Sequence, residues 1–245
     1  MALLSRLRSL LSGHAGDDSP DQPVAAAATS DEESSHAPAM PAVPTLDEAE
    51  LARVAELRAA LDADPNDAAA FAELAELVRR AAAGADPADP LTADSDHHVD
   101  PDRSADLAIW SLAEELAGRP KAWFPLVELA RLSLPGDLEG AVRRLSGACE
   151  RETDGTALIE SVRILREAGR PADALNLGVG HWVPARHGAE AGRQVILAAL
   201  EAGRAADAKR LLADLDEVSG EDLMVDAAVD ELRPAVDAAL DAGPH

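Results

Sequence analysis

From residue 45 onward, apolar residues recur at helical spacing. Thr45 and Glu48 form a capping box ahead of a stripe through Leu51, Val54, Leu57 and Leu61, a spacing that places them on one helical face. Asp64-Pro65-Asn66-Asp67 ends that helix and caps the next, whose apolar positions are Ala70, Phe71, Leu74, Ala75 and Val78. Beyond an interruption at 84–102, the pattern predicts helices over 106–117, over 121–134 with Pro125 in the first turn, and over 137–152. Two further pairs follow, over 155–181 and 188–215. Ser219 and Asp222 then open a last helix striped by Val225, Val229, Leu232, Val236 and Leu240, with a kink expected at Pro234.

A duplication underlies the later pairs. Glu167-Ala168-Gly169-Arg170 recurs as Glu201-Ala202-Gly203-Arg204, and eight of the eleven residues from Glu167 to Leu177 are identical to those from Glu201 to Leu211. Only three of the eight are alanine, so an alanine-rich composition does not account for the match. Each copy reads as the tight turn of an antiparallel helix pair: Gly supplies the left-handed geometry that ends one helix, and the next starts at once. Ala174 and Ala208 are small enough to let the paired helices approach closely.

The 34-residue offset, the Asp-Pro-Asn-Asp junction ahead of Phe71, Leu74, Ala75 and Val78, and the run Trp123, Leu126 and Ala130 together resemble the tetratricopeptide family of helical repeats. The resemblance covers about 150 residues and is degenerate. Val127 replaces a small residue, Leu158 and Gly192 replace the aromatic, and the turn at Pro135-Gly136 comes late. It implies an all-α fold of antiparallel helix pairs stacked as a short right-handed solenoid. It also implies a non-enzymatic adaptor or scaffold holding a peptide or domain in a groove formed by the first helix of each pair. On that reading Trp123, Leu126, Arg163 and Arg193 are groove candidates.

The expected organisation is a short basic amphipathic helix over 1–12, a disordered Pro/Ala/acidic linker over 13–44, a first helical pair over 45–83, an acidic disordered loop over 84–102, repeats over 103–216, and a capping helix with acidic tail over 217–245. Leu3, Leu4, Leu7, Leu10 and Leu11 share one face of the first segment, with Arg6 and Arg8 toward the other. Five buried leucines gain roughly 1.5 to 3 kcal/mol each, and ordering eleven residues costs about 1 to 2 kcal/mol apiece, so any membrane contact there is weak. A peripheral membrane scaffold is therefore the alternative reading, and an uncharacterised enzyme the third.

Composition narrows the field further. Three Trp, two Phe and no Tyr leave Leu, Val and Ala to pack the interior, which suits helix contacts better than a large sheet. A net charge of −24 excludes a nucleic-acid partner, because phosphate binding needs a clustered basic surface. That charge is uneven: residues 103–212 carry fifteen charges of each sign, whereas 14–46, 84–102 and 213–245 hold 22 acids and one Arg. Twenty Arg against two Lys point to a GC-rich bacterial genome. The single Cys149 excludes an internal disulfide and fits a reducing cytoplasm; with Leu138, Val142 and Leu145 it falls on one helical stripe.

Nothing in the chain argues for chemistry. It lacks a nucleophile elbow, a phosphate-binding glycine loop and a His-Glu-x-x-His motif. The alternating acids from Asp94 to Asp102 fail as a calcium loop, lacking the sixth-position Gly and ending on Ala105, so no metal or cofactor is expected. The one stretch that repeats do not predict runs from Gly178 to Gly188, where two Gly are expected to shorten the second helix. There His181, Trp182, Arg186 and His187 are candidate protein-binding residues. The plain alternative has Trp182 plugging the joint between pairs and both histidines bonding free carbonyls. The partner, the oligomeric state and the pathway are not encoded in any motif.

Overall fold

The computed structural model describes residues 46–84, 101–218 and 223–243. The expectations for the basic segment 1–12, the linker 13–44, Thr45, the loop residues 85–100 and the Ser219–Asp222 cap lie outside them. Among the described residues there are ten helices and no strand: α1 (Glu48–Ala63), α2 (Ala68–Gly84), α3 (Pro101–Ala117), α4 (Phe124–Ser133), α5 (Leu138–Arg151), α6 (Thr156–Glu167), α7 (Pro171–His181), α8 (Pro184–Glu201), α9 (Ala205–Glu217) and α10 (Leu223–Asp241). The protein is all-α. None of these helices is long and apolar enough to cross a membrane.

Two compact units divide the chain, with boundaries that run through α1, α2 and α3. In the first, which holds the described residues 46–57, 73–84 and 101–109, Val54, Leu57, Leu74, Leu77, Val78, Ala105, Ala108 and Ile109 are buried. The Arg53 guanidinium donates to both Glu73 oxygens at 2.7 Å, and Arg80 pairs with Glu50 at 2.7 Å. The box that opens α1 is made by Asp47 and Glu50, each side chain accepting from the other's backbone N–H at 2.8 and 3.0 Å. It sits two residues beyond the box expected at Thr45 and Glu48, because Asp47 offers a carboxylate at the position from which Glu50 can reach back.

The second unit holds residues 58–72 and 110–243, apart from 219–222. From α4 onward each helix packs on the next, and α4 on α6, α6 on α8, α8 on α10 and α5 on α7 also touch. Those contacts define a stack of antiparallel pairs in chain order, in the manner of a helical solenoid. Ala130, Ala141, Ala148, Ala157, Ala174, Ala191, Ala198, Ala199 and Ala208 are fully buried at its helix crossings, between Leu145, Leu158, Leu165, Ile196 and Leu215.

The duplicated turns are geometrically equivalent. Gly169 and Gly203 both have φ +70°, Gly169 N–H donates to Arg166 O at 2.9 Å and Gly203 N–H to Leu200 O at 3.0 Å, and Arg170 and Arg204 N–H reach five residues back at 2.8 Å. This is the Schellman arrangement. Each following helix opens with the same ion pair, Arg170 to Asp173 at 2.8 Å and Arg204 to Asp207 at 2.5 Å.

Several boundaries differ from expectation. α3 begins at Pro101, inside the stretch expected to be loop, since Pro suits the first helical position. α8 begins at Pro184 for the same reason and passes through a non-helical Gly188 (φ 66°, ψ −179°). α7 continues through both of its glycines to His181. Gly178 does not break the helix: a Cβ there would lie 2.8 Å from the Val195 side chain, so its lack of one lets α7 and α8 approach. α10 runs on past Pro234 to Asp241, with Val225, Val229, Leu232 and Val236 buried and Leu240 half-buried.

Candidate functional site

The Gly178–Gly188 stretch forms the junction of α7 and α8. Pro184 ends α7 because the residue before a proline is driven toward extended backbone, and Val183 is extended at φ −123°, ψ 101°. Trp182 is 9 % exposed and its ring covers Gly192: a Cβ at that glycine would come within 2.9 Å of the indole Cζ2 and 3.0 Å of Leu215. The Trp182 indole N–H is buried without a hydrogen-bond partner among the described residues. Trp182 is therefore the plug between successive pairs.

The histidines bond side chains and an amide, correcting the expectation that they meet free carbonyls. His181 Nε2 lies 2.9 Å from Ser146 Oγ, tying α7 to α5, and no group is bonded to its Nδ1 among the described residues. His187 is buried against Gly155, and its Nδ1 accepts from the Val183 N–H at 3.3 Å. This caps α8 in reverse, as the fourth helical residue reaches back to the residue before the helix. Burial holds the His187 pKa below its ordinary value; the Arg186 charge adds to this, and Glu152 and Asp154 oppose it. Arg186 itself is exposed and pairs with no carboxylate among the described residues.

Trp123 and Leu126 belong to a separate cluster. Trp123 is half-buried at the start of α4, edge-on to Phe124 with centroids 5.8 Å apart, and Phe124 meets Phe71 at 5.7 Å. Asn66 secures this start: its Oδ1 accepts from the Trp123 and Phe124 N–H groups at 2.8 and 3.1 Å, and its Nδ2 donates to Lys121 O at 3.0 Å. Lys121 carries a positive φ of 64°. Leu126 is half-buried over Gly147 of α5.

Arg163 is exposed on α6 and Arg193 is half-buried on α8. Arg163 pairs with Glu160 and Glu167 of its own helix. Arg193 pairs with Glu190 at 3.9 Å and with Glu231 of α10 at 2.8 Å, which raises its pKa. Between them Arg166 donates to both Glu201 oxygens at 2.6 and 2.9 Å and to Gln194, which in turn donates to Glu190 at 2.7 Å. The first helices of successive pairs are thus stitched together by a polar network along one side of the stack.

A residue that sequence reasoning passed over completes this side. α4 carries Glu128 and Arg131, paired at 3.5 Å, so that Glu-x-x-Arg occurs on α4, α6 and α8 alike. The flanking burial is in register, with Leu129, Ser161 and Ala191 buried one residue after the Glu and Ala130, Val162 and Gly192 buried before the Arg. The signal was present in the sequence, at offsets of 32 and 30 residues, and the 34-residue duplication hid it. Beside Arg131 a cavity of about 250 Å³ opens between two turns, lined by Leu134, Pro135, Leu138, Ala168 and Arg170.

The eight candidate residues therefore do not converge: four surround the α7–α8 junction, two start α4, and two stand on the first-helix side. Among the described residues no three His, Cys, Asp or Glu side chains are grouped to hold a metal. Cys149 is inert, its thiol pushed up to about 11 chiefly by burial. The fold and these faces define an all-helical protein of stacked antiparallel pairs. No protein-family model, curated protein or solved structure matches the chain.

Proposed function

We propose that this chain is a non-enzymatic adaptor of the tetratricopeptide kind, cytoplasmic, whose first-helix side binds a peptide segment or domain of another protein. The observation that carries the reading is the repetition of a Glu-x-x-Arg pair on three successive first helices, each pair half-buried to exposed and each enclosing two buried residues. Packing requires the buried register, but it does not require the same charged pair beside it each time. Arg is among the residues that dominate interface energetics. Binding there at micromolar affinity corresponds to about 8 kcal/mol.

The test is capture of a stoichiometric partner by the tagged full chain, repeated with Arg163→Glu and Arg193→Glu together and, as control, with Arg204→Glu on the turn before α9. Loss of the partner only in the first pair of substitutions supports the reading. A partner retained by that variant removes the first-helix side from the account.

A further inference from the structure

The turn 184–187 that opens α8 is set apart from the rest of its helix. Gly188 follows it with φ 66° and ψ −179°, and no atom lies within 4 Å of where a Cβ on that glycine would sit. Inside the turn, His187 is 9 % exposed, packs on Gly155, and accepts from the Val183 N–H through Nδ1 at 3.3 Å. Immediately ahead of it, Trp182 fills the joint beside Gly192 with its indole N–H unpartnered among the described residues. The joint is thus closed by packing and by one histidine that bonds back across the turn.

That histidine can do so in one protonation state only. A neutral imidazole accepts through one nitrogen, whereas the cation donates from both. Protonation therefore sets Nδ1–H against the Val183 N–H, two donors facing each other in a site nearly closed to water. Among the described residues, the titratable and charged groups around the ring are Arg186 on its own turn, His181 on α7, and Glu152 and Asp154 between α5 and α6. Arg186 repels a cation there, as does His181 when charged, and the two carboxylates attract it. Glu152 already accepts from the Asp154 and Ala157 N–H groups at the start of α6, while Asp154 is exposed.

We propose that His187 is a proton-operated latch on this joint: on protonation its ring leaves Val183 for the Asp154 carboxylate, the turn 184–187 swings on Gly188, and Trp182 is released from between the pairs. Each freed group gains a partner, since the imidazolium meets a carboxylate and the Val183 and indole N–H groups meet water. The unpaired indole donor is the part of the closed joint that opening relieves. Burial and Arg186 disfavour the cation in the closed form, so closure is complete above the ordinary imidazole value of about 6.5 and is lost as pH falls below it. Opening loosens the contact between the α6–α7 and α8–α9 pairs, whatever the first-helix side binds.

Hydrogen exchange of the full chain, followed by NMR from about pH 7.5 to about pH 5 and corrected for the intrinsic pH dependence of exchange, tests this. Protection of the Val183 amide and the Trp182 indole N–H is expected to fall roughly tenfold or more, while the amides of Leu165 and Val195, buried in α6 and α8, keep theirs. His187→Gln, which does not titrate, abolishes the fall, and Asp154→Asn moves its midpoint to lower pH. Where His187→Gln does not fold, the contrast between Val183 and the two core amides in the unaltered chain decides. Unchanged protection, a loss shared equally by Leu165 and Val195, or a loss that survives His187→Gln overturns the latch. A midpoint unmoved by Asp154→Asn overturns the part given to that carboxylate.

Discussion

The amide of Asn66 serves a helix 57 residues further along the chain, accepting from the Trp123 and Phe124 N–H groups while donating to the carbonyl of left-handed Lys121. Removing it leaves two helix-start donors and a strained turn without partners, so Asn66→Ala should lower unfolding free energy by about 1 to 3 kcal/mol in urea titration. Asn66→Asp, which keeps the acceptor, should cost less. His187 gives a pH signature. Its neutral Nδ1 accepts from Val183, and burial together with Arg186 disfavours the cation, so the folded chain binds this proton less readily than the unfolded one. The stability it contributes is complete above the unfolded value of about 6.5 and is lost as pH falls through the lower folded value. His187→Gln should flatten the fall in melting temperature between about pH 7 and pH 5. An unchanged profile would show that other groups set it.

At the scale of elements, the two duplicated turns supply a matched pair of tests. Neither Gly169 nor Gly203 has an atom within 4 Å of where a Cβ would sit, so Ala substitution meets no clash and reports the φ +70° backbone alone. Each should cost about 1 to 2 kcal/mol, equally, and the double variant should show their sum. Unequal costs would mean that the repeats are alike in sequence but not in mechanics. These turns were legible because glycine, period and the following Asp all pointed one way. The starts of α3 and α8 were not, since Pro101 and Pro184 read as loop until a helix is seen to use them as first residues. Gly178 and Gly180 were read as shortening their helix, and α7, at 11 residues, is shorter than α5 and α9 with 14 and 13; what the sequence did not disclose is that Gly178 lets the Val195 side chain approach. Trp182 was named both as a binding candidate and as a plug between pairs, and its burial against Gly192 fits the plug.

At the scale of the whole molecule, the stretches rich in acid lie outside the neutral repeat body, 103–212. The second unit buries its Leu, Val and Ala against neighbours in chain order and leaves the repeated Glu-x-x-Arg pairs of α4, α6 and α8 half-buried to exposed. Sequence reasoning reached the stack and two of the three arginines. It missed Arg131 because the exposed register advances by 32 and 30 residues and the turn register by 34, a difference that only the burial pattern resolves. The central claim is that this exposed side does the binding. Its most direct test is site-specific photocrosslinking of the full chain in cells, with the reactive group placed in turn at Arg163 on α6, at Leu197 on α8 and at Asn176 on α7. The account predicts crosslinked partner from the first two positions and none from the third. Crosslinking from Asn176 alone would contradict it.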